Sequence, residues 1–170
     1  MPTSPVTLRR ARCACGSVVL EMSGEPIIAS ACYCDDCQEA ARQIAQLPGA
    51  TPVMDSDGGT PYLIYRKDRM TCVEGAEHLH GHRLKPASPT RRVIAGCCNS
   101  AMYLDFEKGH WYSIHRRNFD GDMPAVQMHV QTKFKPGHAA EAGSVQTYAG
   151  YPPTFMMKLV AARVAMLFHL

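Results

Sequence analysis

Cysteine placement constrains this chain more than any other feature of its sequence. Seven of the eight cysteines fall into three tight groups: Cys13-x-Cys15, Cys32-x-Cys34-x-x-Cys37 and Cys97-Cys98. Zinc takes thiolates in a tetrahedral shell, and cysteines a few positions apart can bind one ion from a single turn. Seven thiolates divide into four, which close a structural site, and three, which leave one position for water or a substrate. The spacing therefore predicts two zinc ions per chain, one structural and one of the catalytic type.

The setting expected for these cysteines is a reducing one. No apolar run follows the positive charges near the N-terminus, so we expect no secretory signal and a cytoplasmic protein, in which disulfides are rare. Two other interpretations remain open. Small buried cysteines can fill core space, which is what we expect of the isolated Cys72, and Cys34 with Cys37 could form a redox pair. Metal binding is favoured because no thioredoxin-like βαβ pattern surrounds that pair.

Composition excludes several functional classes. Hydrophobic residues make up 46% and charged residues 19% of the chain, which is an ordinary globular balance. A net charge of +3 over 170 residues, with its basic pairs spread out, gives no reason to expect a nucleic-acid partner. The motifs of nucleotide-binding loops, serine hydrolases and HExxH metalloproteases are absent from the sequence.

Periodicity predicts a mostly β chain with two helices. Good helix formers between the second cysteine group and Pro48-Gly49 predict a short helix over residues 38–47. Alternating or β-branched runs predict strands at residues 17–22, 62–65, 69–73, 77–84, 91–95, 101–106, 111–114 and 126–132. We therefore expect a zinc-binding β domain over residues 1–150.

The last segment, residues 151–170, is predicted to be a separate apolar helix. Pro153-Thr154 suits a helix start, and only Lys158 and Arg163 are charged in the run that follows. Its roughly 15 residues are fewer than the ~20 that a membrane span needs, so no span is expected. Three interpretations stay open: packing on its own domain, pairing with a second subunit in a homodimer, or lying at a membrane interface.

Three alternating histidines are a weaker indication of a further metal site. On a strand, His78, His80 and His82 would share one face, where three imidazoles could bind zinc, nickel or copper. The alternative is an exposed polar strand face, with one histidine near the zinc pocket as a further option. The scattered histidines are predicted to be surface residues or hydrogen-bonded core residues: His110, His115, His129, His138 and His169.

Taken together, the cysteine motifs resemble the glutathione-dependent formaldehyde-activating (GFA, or CENP-V-like) family of zinc proteins. The likeness covers about residues 9–106, through CACGSVVLEMSGE, CYCDDCQ, GTPYLIYRKDRMTCVEG and RRVIAGCCNSAMYL. It implies an Mss4-like fold of several small coiled antiparallel β-sheets around zinc, with a short helix after the second cysteine motif. The region after Phe106 is less typical of the family, which indicates a divergent member.

The resemblance also implies which cysteines act together. The structural site would take Cys13, Cys15, Cys97 and Cys98. The catalytic site would take Cys32, Cys34 and Cys37. At that second site the family's enzymes bind glutathione or its formaldehyde adduct and act as carbon–sulfur lyases on S-hydroxymethylglutathione. A zinc-stabilised binding or interaction module without catalysis is the alternative.

Two departures from the family pattern bear on these sites. The family usually has CxxCG in its second half, whereas this chain has Ala95 in place of the first cysteine and the adjacent pair Cys97-Cys98. Neighbouring side chains point apart in an extended strand, so both thiolates reach one metal only if the chain turns at Gly96. Otherwise the structural site has three of these cysteines as ligands and takes a fourth ligand from elsewhere. The second departure is Tyr33, which stands where a histidine is common.

Overall fold

The computed structural model describes residues 7–137 and 145–168, so the expectations for His138 and His169 lie outside the described residues. The strands are β1 Leu8–Arg12, β2 Val19–Ser23, β3 Ile28–Cys32, β4 Thr60–Arg66, β5 Met70–Glu74, β6 Leu79–His82, β7 Thr90–Ala95, β8 Ser100–Phe106, β9 Trp111–His115, β10 Met128–Val130 and β11 Gln146–Thr147. The helices are α1 Asp35–Ala45 and α2 Pro153–Leu167. Short 3-10 turns cover Lys67–Arg69, Ala76–His78, Arg116–Asn118 and Thr132–Phe134.

These strands form a small sheet and a large one. The small sheet has the order β1-β2-β5, and the large sheet has the order β11-β10-β3-β4-β9-β8-β7-β6. The mostly β class with one short helix and one C-terminal helix is confirmed. The large sheet replaces several small ones because β9 pairs with β4 on one side and with β8 on the other. Its edge is also mixed, since β10 runs parallel to both β3 and β11.

The large sheet is covered on both faces. Along β4, alternate side chains point to opposite faces, so Leu63 and Tyr65 pack towards the small sheet while Tyr62 and Ile64 pack towards the helices. All four are at most 4% exposed. The small sheet contributes Leu20 and other fully buried side chains to the first core. A three-layer arrangement follows, with the small sheet, the large sheet and the helices stacked in that order.

Helix α1 begins three residues earlier than predicted, inside the second cysteine motif. Asp35 and Asp36 occupy its first turn, where carboxylates interact favourably with the helix dipole. Its buried side includes Ala41 and Ile44, which pack with Ile94 of β7. Since the helix starts directly after Cys34, the third cysteine of the motif lies within its first turn.

Helix α2 packs on the same face of the large sheet through Phe155 and Leu159, which are 6% and 3% exposed. Met157 and Leu167 of the helix, and Phe168 directly after it, are more than 60% exposed. One side of α2 therefore packs on the large sheet, while its other side is exposed. Within residues 7–137 and 145–168, neither helix combines the length and the apolar character of a membrane span.

A close backbone approach within the small sheet, where the residues flanking β2 and β5 meet, predicts a large loss of stability when Gly75 is substituted. A Cβ atom there would lie 2.1 Å from the carbonyl oxygen of Ser17, and the residue has a φ of +72°. We expect Gly75→Ala to lower the free energy of unfolding by about 3 kcal/mol or more, measured by urea denaturation. Gly121 has a φ of +77° with open space around it, so Gly121→Ala should cost only about 1 kcal/mol. An equal loss of unfolding free energy in Gly75→Ala and Gly121→Ala would contradict a steric clash at Gly75.

Candidate metal centres

Four thiols, two from the segment after β1 and two from the turn between β7 and β8, come together in one cluster. Their Sγ atoms all lie within 4.8 Å of one another. Separations are 3.5 Å for Cys13–Cys15, 3.7 Å for Cys13–Cys97, 3.4 Å for Cys15–Cys97 and 3.9 Å for Cys97–Cys98. A tetrahedron with zinc–sulfur bonds of ~2.3 Å has edges of about 3.8 Å. The cluster therefore fits a tetrahedral thiolate-bound metal, and we call it the four-thiol centre.

The turn between β7 and β8 explains how adjacent cysteines both enter this centre. Residues 96–99 form the turn, and Asn99 adopts a left-handed φ of 56°. Neighbouring side chains then no longer alternate as they would on a strand. The structure thus places both Cys97 and Cys98 in the cluster, which the sequence left open.

Hydrogen bonds support the sulfur atoms of the four-thiol centre. The backbone N–H of Val18 donates to the Sγ of Cys13 at 3.2 Å. Hydrogen bonds with the side chain and backbone of Ser17 lower the pKa of Cys15 to about 6. Such bonds favour the thiolate, which is the form that binds metal.

A second cluster lies at the other face of the large sheet. Cys32 ends β3, Cys34 precedes α1 and Cys37 lies in its first turn, and their Sγ atoms all lie within 4.8 Å of one another. Three protein ligands leave a fourth tetrahedral position open. We call this cluster the three-thiol centre. Both centres can bind a metal ion, and their ligand sets match the division into four and three.

Each thiol of the three-thiol centre changes the pKa of the other two. Hydrogen bonds from Cys32 and Cys37 lower the pKa of Cys34 to about 3. Its hydrogen bond with Cys34 in turn raises the pKa of Cys32 to about 12, and that of Cys37 is also raised by its neighbouring thiols. One negative charge opposes the next at such short range, whereas a divalent cation favours all three thiolates. The donor set therefore suits a metal better than it suits three free thiols.

The open side of the three-thiol centre faces a cavity. This cavity of ≈ 400 Å³ lies between the large sheet and α2, and both Cys32 and Cys37 line it. Two phenols stand beside the sulfur atoms: the hydroxyl of Tyr62 donates to the Sγ of Cys37 at 3.6 Å, and that of Tyr151 lies 4.0 Å from the Sγ of Cys32. The cavity therefore reaches two of the three sulfur atoms of this centre and the two phenols beside them.

Two buried side chains next to this centre, Arg92 and His115, have polar atoms without hydrogen-bond partners among the described residues. Arg92 is 3% exposed, and its Nη2 donates to the carbonyl of Asp36, but its Nε and Nη1 find no hydrogen-bond partner among the described residues. His115 is also 3% exposed, its ring centroid is 4.9 Å from that of Tyr62, and neither ring nitrogen finds such a partner there. The prediction of a surface or hydrogen-bonded histidine is therefore wrong for His115.

Burial of His115 predicts a specific loss of stability in mild acid. Desolvation lowers its pKa to about 3, so below pH ~6.5 the unfolded chain binds a proton that the folded protein does not. Stability contributed by the neutral ring is present above pH ~6.5 and is lost as the pH falls, by about 1.4 kcal/mol per pH unit. We expect His115→Phe to reduce the slope of unfolding free energy against pH by about one proton between pH 6 and pH 4.5.

Urea denaturation across this pH range measures the slope, with His82→Gln as the control. An unchanged slope in His115→Phe would contradict the assignment.

The alternating histidines do not form a third centre. His78 lies in a 3-10 turn, whereas His80 and His82 lie on β6, so the three do not share one strand face. Among the described residues, the two cysteine clusters are the groups that could hold a metal. Cys72 belongs to neither cluster: it is half-buried on β5, and its thiol lies 3.2 Å from the carbonyl of Glu74.

Fold and centres together define a β-rich protein with two candidate thiolate metal centres. The chain belongs to the family described as "Family of unknown function (DUF6151)", whose model matches residues 6–165. A Rhodobacter sphaeroides protein of known crystal structure is 18% identical to the chain, with a TM-score of 0.48. That match covers 68% of this chain and 91% of the other one. No curated protein matches the chain.

Proposed function

We propose that this chain is a zinc-dependent carbon–sulfur lyase that acts on a thiol–aldehyde adduct at the three-thiol centre. The observation that carries the proposal is the cavity beside Cys32 and Cys37, because a purely structural site has no need of an accessible fourth position. S-Hydroxymethylglutathione is the adduct that the resemblance to the GFA family implies. Zinc held by the three thiolates would lower the pKa of a coordinated thiol and polarise an aldehyde oxygen.

The proposed reaction needs no further reactant. Cleavage breaks the carbon–sulfur bond of the adduct, and its electron pair goes to sulfur. The hydroxyl proton leaves the oxygen as the carbonyl forms, and the sulfur takes up one proton, so a thiol and an aldehyde result. The reverse reaction joins them by the same steps.

The two phenols beside the centre suit the handling of that proton. Burial raises the pKa of Tyr62 well above its usual value, and partial burial together with the neighbouring thiols also raises the pKa of Tyr151. Both phenols therefore remain protonated at neutral pH and can donate hydrogen bonds to the sulfur or oxygen of the adduct. Their positions near Cys37 and Cys32 place both donors at the cavity wall.

The proposal predicts that the protein accelerates adduct exchange and that this acceleration requires the metal ligand Cys34. Zinc-loaded protein mixed with formaldehyde and either glutathione or phenylmethanethiol should accelerate adduct exchange, measured by exchange NMR, by about 100-fold or more for at least one thiol. Cys34→Ser should abolish the acceleration, whereas Cys72→Ser, which lies outside both centres, should leave it unchanged. Exchange that is equally fast with the wild-type chain and with Cys34→Ser would contradict catalysis at this centre.

The alternative is a zinc-stabilised interaction module, favoured by the exposed apolar side of α2. In that case the metal serves folding, and α2 associates with a partner or with a second copy of the chain. Metal analysis separates the two functions: the enzyme should hold two zinc ions, one of which accepts an added thiol. The module needs only the ion of the four-thiol centre.

A further inference from the structure

The cavity beside the three-thiol centre has a lining that restricts what can bind there. It is walled by the large sheet on one side and by α2 on the other. Large apolar side chains dominate the wall: Leu104, Phe106, Trp111, Phe155 and Leu159. Its volume of ≈ 400 Å³ lies within the range of small-molecule sites in proteins.

The polar groups of the lining are uncharged. Besides the two cysteines, they are hydroxyls, from Ser30, Tyr62, Thr90, Ser113 and Tyr151. Among the described residues, no aspartate, glutamate, lysine, arginine or histidine lines the cavity. A bound molecule can therefore receive hydrogen bonds from the wall, but it finds no ion-pair partner there.

This lining penalises charged thiols. Glutathione carries two carboxylates and an ammonium group, and each would lose hydration on entry without an opposite charge to replace it. An apolar group instead gains about 25 cal/mol for each Å² removed from water. The balance favours a thiol whose carrier is uncharged and apolar.

We infer that the cavity binds the apolar part of a small uncharged thiol or of its aldehyde adduct, with the sulfur directed to the open position between Cys32 and Cys37, and that it excludes glutathione. This inference rests on the proposed function, because that function places the sulfur of the ligand at the three-thiol centre. It narrows the substrate class to aromatic or aliphatic thiols without ionised groups.

Trp111 makes the inference directly measurable. It is the single tryptophan of the chain and lines the cavity, so its fluorescence reports occupancy whether or not metal takes part. Cobalt-substituted protein reports in parallel whether sulfur reaches the metal, through its visible absorption. Phenylmethanethiol and glutathione are the two probes. We expect phenylmethanethiol to change both signals at a concentration at least about 10-fold lower than glutathione.

A cavity-filling variant tests the location. Ser113 lies on β9 and lines the cavity, so Ser113→Phe should weaken phenylmethanethiol binding by about 10-fold or more while the cobalt spectrum without thiol is retained. Ser56→Phe, at an exposed position outside the lining, is the matched control.

The possible outcomes separate this inference from the proposed function. Glutathione binding as tightly as phenylmethanethiol, or undiminished binding to Ser113→Phe, overturns the inference and leaves the lyase proposal standing. A fluorescence change without a cobalt response, or cobalt bound only at the four-thiol centre, overturns both, because the sulfur then does not reach the three-thiol centre.

Discussion

Replacing Cys13 with serine is expected to release one metal ion per chain and to lower the midpoint of thermal unfolding by about 10 °C or more. Cys13 is 4% exposed and follows β1 of the small sheet, whereas Cys97 belongs to the turn between two strands of the large sheet. Metal bound between them therefore joins the two sheets. The binding free energy of a structural zinc site is comparable to the whole stability of a domain.

Thermal unfolding followed by circular dichroism, together with metal analysis, measures this effect. Cys72→Ser is the matched control, because Cys72 is a free, half-buried cysteine outside both clusters. Its midpoint should stay within about 5 °C of the wild-type value. A Cys13→Ser chain that keeps two metal ions and the wild-type midpoint would show that the four-thiol centre does not join the sheets.

Replacing Arg92 with methionine should selectively weaken metal binding at the three-thiol centre. Three thiolates and a divalent metal carry one net negative charge, and the Arg92 guanidinium favours the charged form of Cys34. Arg92 is 3% exposed and has no carboxylate partner among the described residues. Loss of this buried cation should cost about 2–4 kcal/mol of metal affinity, or about 30- to 700-fold.

Competition with a chelator of known affinity measures the loss. The four-thiol centre serves as an internal control, because its affinity should not change. Arg42→Met is a matched variant, since Arg42 lies on the exposed side of α1 and pairs with Glu39. If Arg92→Met and Arg42→Met bind metal equally well, Arg92 does not act as the counter-charge of the centre.

Three strands were not predicted from the local sequence: β1, β3 and the two-residue β11. β1, with the sequence LRRAR, contains three arginines without a clear polar–apolar alternation, and it becomes a strand because it pairs along its length with β2. β3, with the sequence IASAC, is wholly buried, yet it has little of the β-branched and aromatic content that predicts strands. In both, tertiary pairing overrides weak local propensity. Where the pattern was strong, as in β4, β7, β8 and β9, the predicted strands match the observed ones to within two residues at each end.

The two phenols near the three-thiol centre could not be assigned to this site from the sequence. Tyr62 stands out in the sequence only as part of an apolar strand, and Tyr151 only as a residue before a helix. Neither has a spacing to the cysteines that would indicate a shared site. Tyr62 reaches Cys37 because β3 pairs with β4, and Tyr151 reaches Cys32 because α2 packs over that face of the sheet.

What the sequence by itself determined is the ligand inventory: seven cysteines in three groups whose short spacing brings sulfur atoms together within single turns. Local geometry suffices for that, because residues one to three positions apart cannot separate far. Only the tertiary structure decided that both Cys97 and Cys98 join Cys13 and Cys15, since that depends on a turn and on contacts between residues 82 or more positions apart in the sequence. It also decided that the three-thiol centre opens into an uncharged cavity, because sheet pairing and the packing of α2 assemble that wall from distant segments.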